Sequence, residues 1–370
     1  MNNSPWGQRF PSKRPYLIVA LVLALIATAC GSDNSGQARV LDGDAATIFS
    51  GECAATNDED EVVIYSGRTE NLIEPVIDAF ICETGTSVSV RWGSSTDLAL
   101  LLSEEGDATD ADVFLSRSPG PVGFLQSRNL LGTVDPDVLS LVDAQNQSDS
   151  GSWVGFSGRK RVAVYNVDAV TDAQLPSSVF ELTDEVWNNR VAIPATNGSF
   201  VDWFTVFRDQ VGDDVATQWI NDMAANGARY YPNNRSIVEA AGRGEVDLGL
   251  VNHYYNHQES KDRGADHRAQ NHDFDAADFG SVVIITAATV TSASDNTEGA
   301  NALIEYLLSQ SVQTYLTEST LEYPLAAGVQ PADVLPPLTT PAVGSVDFDA
   351  LGGGFEESTT IIDASGIADQ

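Results

Sequence analysis

The residues best suited to hold a ligand crowd into one stretch, 226–257, which reads NGARYYPNNRSIVEAAGRGEVDLGLVNHYYNH. Near its end stand two adjacent phenols, Tyr254 and Tyr255. A deprotonated phenol is a hard anionic oxygen donor, and a trivalent metal can displace a proton whose ordinary pKa is about 10. The alternative for any Tyr-Tyr pair is plain packing. The four histidines, His253, His257, His267 and His272, share the region. His253 and His257 are spaced to share one helical face and would suit zinc there, but their polar neighbours point to solvated side chains. The chain has no GxGxxG, Walker A, GxSxG, HExxH or CxxC pattern. The common nucleotide, hydrolase and metalloprotease readings therefore lose their support.

Placing the phenols falls to the elements around them. Apolar spacing predicts a helix that begins near Asn233 and Asn234 and covers 237–243, followed by a strand over 247–251. The carboxyl end of that strand delivers Asn252 through Tyr255, where open α/β sheets gather ligands. The same alternation runs through the chain. Strands are predicted at 62–65, 87–92 and 112–115, with amphipathic helices between them over 72–81 and 97–105. Consecutive βα units predict a parallel sheet covered by helices. A second unit starts with the strand 161–166 and continues through a strand at 191–194 and helices over 203–207 and 215–223. The β-branched run 281–290 predicts a buried strand, and helices follow over 300–308 and 312–317. A short surface helix is expected within 342–370.

The chain has 370 residues, with 53 Asp+Glu against 19 Lys+Arg and a formal net charge of −34. Such a balance repels nucleic-acid backbones, so no nucleic-acid partner is expected. With 42% apolar and 19% charged residues, the chain can bury enough surface to fold, and its length suits about two domains. Arg9, Lys13 and Arg14 precede an apolar run over 16–29 that ends in Ala27-Thr28-Ala29-Cys30. That is the layout of an export signal, too short to cross a bilayer comfortably. The four residues ending in Cys30 resemble a bacterial lipobox, which implies that Cys30 is lipidated and becomes the mature N-terminus. Removing 1–29 takes away three basic and no acidic residues and carries the net charge to −37. The polar residues 31–51 read as a tether. Outside the cytoplasm, Cys53 and Cys82 are expected to pair, a cross-link worth roughly 3–4 kcal/mol; the alternative is two unpaired buried thiols.

Over about 61–323 the sequence resembles the ferric-ion-binding proteins of bacterial iron ABC importers, a branch of the type II periplasmic binding proteins. The resemblance is most specific over 233–255. Tyr65-Ser66-Gly67-Arg68, ADVFLS at 111–116, Ser157-Gly158-Arg159 ahead of RVAVYN, and PATNGSF at 194–200 support it. It implies an α/β fold of two lobes joined by a hinge of crossing strands, with 55–158 plus 282–335 as lobe 1 and 159–281 as lobe 2. Around them would lie a signal peptide at 1–29, the lipidated cysteine and tether at 30–54, and a C-terminal extension at 336–370.

By the same resemblance, Tyr254 and Tyr255 ligate Fe(III) between the lobes. Asn197, Gly198 and Ser199, ahead of a helix, hold a synergistic phosphate or carbonate, and Asn234 and Asn252 match asparagines that contact this anion. The protein would be a lipid-anchored extracytoplasmic monomer that hands iron to an ABC permease and its ATPase, with no catalytic step. Two departures stand out: Thr69 replaces a histidine ligand and Arg117 a glutamate ligand. Two phenolates leave much of a ferric ion's coordination open. Arg68 and Arg117 could each hold the anion by a bidentate contact, or else be ordinary surface arginines. Two rival readings remain. One keeps the fold for an organic anion, phosphonate, thiamine or polyamine; the other is a secreted α/β hydrolase, which would need a positioned nucleophile and base.

Overall fold

The structure is a computed structural model that describes residues 40–275, 277–338, 351 and 353–369. The export signal, Cys30 and the first part of the tether lie outside the described residues. Part of the expected tether is folded: α1 (Gly43–Ile48) buries Ala45 and Ile48 against neighbouring helices. A disulfide joins Cys53 to Cys82.

Strand β1 (Asn57–Ser66) leads into helix α2 (Glu70–Thr84), whose Ile73, Val76, Ile77 and Phe80 recur at helical spacing and are buried. Gly85, with φ of 78°, closes that helix in the left-handed conformation glycine favours. Strand β2 (Thr86–Trp92) follows, then α3 (Ser95–Glu105), capped by the Ser94 hydroxyl on the Asp97 N–H. Strand β3 (Val113–Ser116), helix α4 (Pro119–Gln126) and the short α5 (Pro136–Leu139) complete this stretch.

The long strand β4 (Val154–Asn166) then carries the chain from one lobe to the other. In the second lobe come β5 (Val191–Ile193), α6 (Gly198–Val211), α7 (Asp213–Ala225), β6 (Arg229–Tyr230), α8 (Asn234–Arg243), β7 (Leu248–Asn252), α9 (His253–Arg263) and β8 (Ala269–His272). Strand β9 (Val283–Val290) returns to the first lobe, followed by α10 (Thr297–Leu307), α11 (Gln310–Glu318) and β10 (Tyr323–Pro324). Helix α12 (Phe355–Ala364) comes last among the helices.

The sheet is mixed rather than parallel. β1 pairs in parallel with β2 and β3, and β5 with β6 and β7, as βα units require. β9, however, runs antiparallel to both β3 and β4, and β4 runs antiparallel to β7 and β8. The cause is chain path: β4 leaves the first lobe and β9 comes back, so the two crossing strands must point in opposite directions. Strand β4 meets β9 through residues 154–160 and β7 through 161–165, which makes it the rail that both lobes share. One apolar cluster lies within the first lobe, and a larger one fills the second and runs on into the first through Phe114, Val122 and Trp153. Phe80, Leu115, Val290 and Leu303 pack on the first, and Phe200, Trp203, Phe207 and Trp219 on the second, where the Trp203 indole also donates to the Phe279 carbonyl at 2.8 Å.

Candidate functional site

Every residue of β4 is buried, yet its centre reads Arg159-Lys160-Arg161. Alternation puts the two guanidiniums on one face and Lys160 on the other. Lys160 is neutralised by Asp273 at 2.7 Å. The arginines have no carboxylate of their own in hydrogen-bond contact. Arg159 donates to the Arg117 carbonyl, and Arg161 donates to Asn234 Oδ1 at 3.1 Å and to the Ser199 carbonyl. Burial lowers both guanidinium pKa values, helped by Arg68 at Arg159 and by Arg159 at Arg161, which falls to about 9.

Tyr254 and Tyr255 fall in the first turn of α9, straight after β7. Their rings lie 4.3 Å apart between centroids, tilted by 31°. Tyr254 is only 8% exposed and packs with Leu321 and Tyr323; Tyr255 is half-buried, with the Arg235 guanidinium 5.8 Å over its ring. Burial, and secondarily Tyr255, push the Tyr254 phenol well above its ordinary pKa, while Arg159 pulls the other way. A phenol so placed stays protonated at neutral pH until a strong cation displaces its proton.

Asn234, 1% exposed, ties these parts together. Its Oδ1 accepts from Arg161 and from the Asn252 N–H at 3.0 Å, and its Nδ2 donates to Ser199 Oγ at 3.0 Å and to Asn197 Oδ1 at 3.3 Å. Asn197 in turn caps α6, accepting from the Ser199 N–H and hydroxyl at 3.1 and 2.7 Å. The side chain of Asn234, matched to an anion-contacting asparagine, thus bonds to Asn197, Ser199 and Arg161. These bonds shape the turn. Gly198 lets Arg117 approach it: a Cβ there would come within 2.4 Å of Arg117 Nη2. Arg117 Nε also faces Asp202 Oδ2 on α6 at 3.8 Å.

Arg68 pairs with Glu322. It is buried and donates to both Glu322 oxygens at 2.8 and 2.9 Å. Burial raises the Glu322 carboxyl pKa, but Arg68, Arg159 and the Ser157 hydroxyl outweigh it and leave that pKa below the ordinary value. Thr69 is the exposed cap residue of α2. Asn252 stands at the N-terminal boundary of α9 without a side-chain capping bond, and its N–H, bonded to Asn234, fixes where the tyrosine turn begins.

The reading of His253 as solvated is corrected. It is buried, its Nδ1 accepts from the Lys160 N–H at 3.1 Å, and its Nε2 lies 2.8 Å from the Leu321 carbonyl oxygen, which assigns the proton to Nε2. Burial, then His257, pushes its pKa down to about 3, so it is neutral. Both nitrogens are engaged. Among the described residues, no three His, Cys, Asp or Glu side chains gather as a metal site.

The Nε atoms of Arg68, Arg117, Arg159 and Arg161 are buried without a hydrogen-bond partner, as is Asp202 Oδ2. Buried donors in that state favour an anion. Arg159, Arg161 and Asp202 were not singled out as site residues from sequence. The available signal was three consecutive cations inside an otherwise apolar strand.

Two lobes, crossing strands and a site between them define a type II periplasmic binding protein. The family of bacterial extracellular solute-binding proteins matches residues 109–350, and the chain belongs to it. It is therefore a binding protein rather than an enzyme. The "Fe(3+)-binding periplasmic protein" of Serratia marcescens is 29% identical over 303 residues, 81% of this chain and 89% of that one. The crystal structure of iron-bound HitA from Pseudomonas aeruginosa superposes with a TM-score of 0.75 at 28% identity, over 83% of this chain and 99% of that one. A Trichodesmium protein (IdiA, FutA) in complex with iron and citrate gives 0.71 at 25% identity, over 83% and 99%.

Proposed function

We propose that this chain is the extracytoplasmic solute-binding lipoprotein of an ABC importer, carrying Fe(III) together with phosphate or carbonate. The observation that carries the reading is the adjacent phenols Tyr254 and Tyr255 beside buried guanidiniums with unpartnered Nε atoms. Two phenolates bring two negative charges to a trivalent ion. The anion supplies more, and Arg117, Arg159 and Arg161 hold it. Asn197, Gly198 and Ser199 form the turn beside it, at the N-terminus of α6 where the helix dipole favours negative charge.

Arg117 stands where a glutamate ligand would be expected and carries the opposite charge. An anion bound to it replaces the missing carboxylate. Tyr254 and Tyr255 ride with the second lobe and Arg117 with the first, so the loaded site makes contacts that only the closed lobes provide. Closure then presents the monomer, anchored through Cys30, to a permease and its ATPase.

A second reading keeps the fold and the guanidinium cluster but drops the metal, for an organic anion or phosphonate. The unpartnered Nε atoms favour it as much as they favour the first. A polyamine or thiamine would meet the like charge of Arg159 and Arg161. Native mass spectrometry of freshly isolated protein separates the two readings: a mass increment of iron plus a small anion supports the first, and an organic anion alone supports the second.

A further inference from the structure

Helix α12 lies beyond the residues that the family matches, and nothing in the proposed iron chemistry uses it. One side of it grips the second lobe. Arg208 on α6 donates to the Gly354 carbonyl at 2.8 Å and to Ser358 Oγ at 2.9 Å, and Thr205 donates to Ser358 Oγ at 2.8 Å, with Ser358 fully buried. The first turn of the same face also touches the first lobe. The Phe355 ring sits 5.8 Å from that of Phe124 on α4, and the Gly353 carbonyl comes so close to Gly120 that a Cβ there would lie 3.1 Å from it.

The lead-in to the helix is built for this double contact. Gly353 and Gly354 adopt φ of 107° and 60°, and a Cβ on Gly354 would stand 3.2 Å from Thr205. Between the two grips, Phe355, Thr359 and Asp363 wall a cavity of about 210 Å3. Its other walls include Thr96 from the first lobe and Gly198 and Asp202 from the second. The helix therefore crosses the cleft beside the turn that faces Arg117.

We propose that α12 is an intramolecular strap across the mouth of the cleft. Its hydrogen bonds to Thr205 and Arg208 move with α6. Its aromatic contact with Phe124 is the one that must part when the lobes open, because that contact is apolar and carries no directional bonds. The strap thus favours closed lobes with or without cargo and slows cargo release. The release and ferric-citrate exchange measurements below rest on the iron reading; the scattering comparison does not.

The test compares the full chain with Phe355→Ala. Iron-loaded proteins are mixed with excess EDTA and loss of the visible iron colour is timed; iron-free proteins are measured by small-angle X-ray scattering. The strap predicts release about two- to tenfold faster in the variant, the span that loss of one aromatic pair corresponds to, and a larger radius for its iron-free form. Equal release and equal radius would overturn it. If neither protein binds iron, the iron reading fails and the scattering comparison alone decides the strap. If the variant does not fold, amide exchange in the unaltered chain decides instead: exchange over 355–364 must slow when ferric citrate is added, and unchanged exchange overturns the proposal.

Discussion

Arg117 Nε stands 3.8 Å from Asp202 Oδ2, and the two residues belong to opposite lobes. Neither atom has another hydrogen-bond partner. The pair places a cation from the first lobe over the start of α6, where Gly198 leaves room for it. On the proposed function, it links closure of the cleft to the charge of whatever lies beside it.

Arg117→Ala removes that link together with one proposed anion contact. With the guanidinium about one third exposed, the expected cost is about 1–2 kcal/mol, or roughly tenfold weaker iron retention. Competition against a chelator at fixed phosphate measures it. The loss should shrink as ionic strength rises, and unchanged retention would remove Arg117 from the site.

Asn234→Ala should act through architecture. Its amide joins Arg161, Ser199, Asn197 and the Asn252 N–H, all in buried surroundings. Leaving those groups without their partner is expected to cost about 2–4 kcal/mol in urea unfolding and to weaken iron binding in parallel. A variant with wild-type stability would show that the hub carries little energy.

Glu322 gives the first lobe an acid sensitivity. Its folded pKa lies below the ordinary value, so the stability it contributes is present above the unfolded pKa and disappears as pH falls through the folded one. Glu322→Gln should remove this acid-side loss and destabilise at neutral pH by about 3–5 kcal/mol, because Arg68 is left buried without its carboxylate. Denaturant midpoints between pH 3 and pH 7 give both numbers.

Tyr254 sets an alkaline counterpart. Its phenol pKa is raised in the folded protein, so the iron-free protein should lose stability as pH climbs past about 10, where the unfolded phenol ionises. Iron binding reverses the demand: two phenols must lose protons, so affinity should rise by up to about two decades per pH unit near neutrality. Calorimetry in buffers of different ionisation enthalpy counts the protons released.

The alternation of strands and helices over 62–115 was legible because each element buries one face against its immediate neighbours, as Ile64 and Phe80 do. The placement of Tyr254 and Tyr255 was legible for a related reason: a strand end and the first turn of a helix place adjacent side chains without distant help. What was not legible depended on partners far along the chain. Arg68 looked free because Glu322, 254 residues away, is invisible to local pattern. His253 looked solvated because its neighbours on α9 are polar, whereas Leu321 and Tyr323 of the other lobe bury it. The antiparallel return of β9 followed from a path between lobes that no local periodicity encodes.

Ligation of ferric iron by Tyr254 and Tyr255 is read most directly from visible absorption of the purified mature protein titrated with ferric citrate. A tyrosinate-to-iron charge-transfer band is expected in the unaltered protein, weaker in Tyr254→Phe and in Tyr255→Phe and absent from the double variant, with all three variants folded. A band and an affinity that survive both substitutions would contradict it.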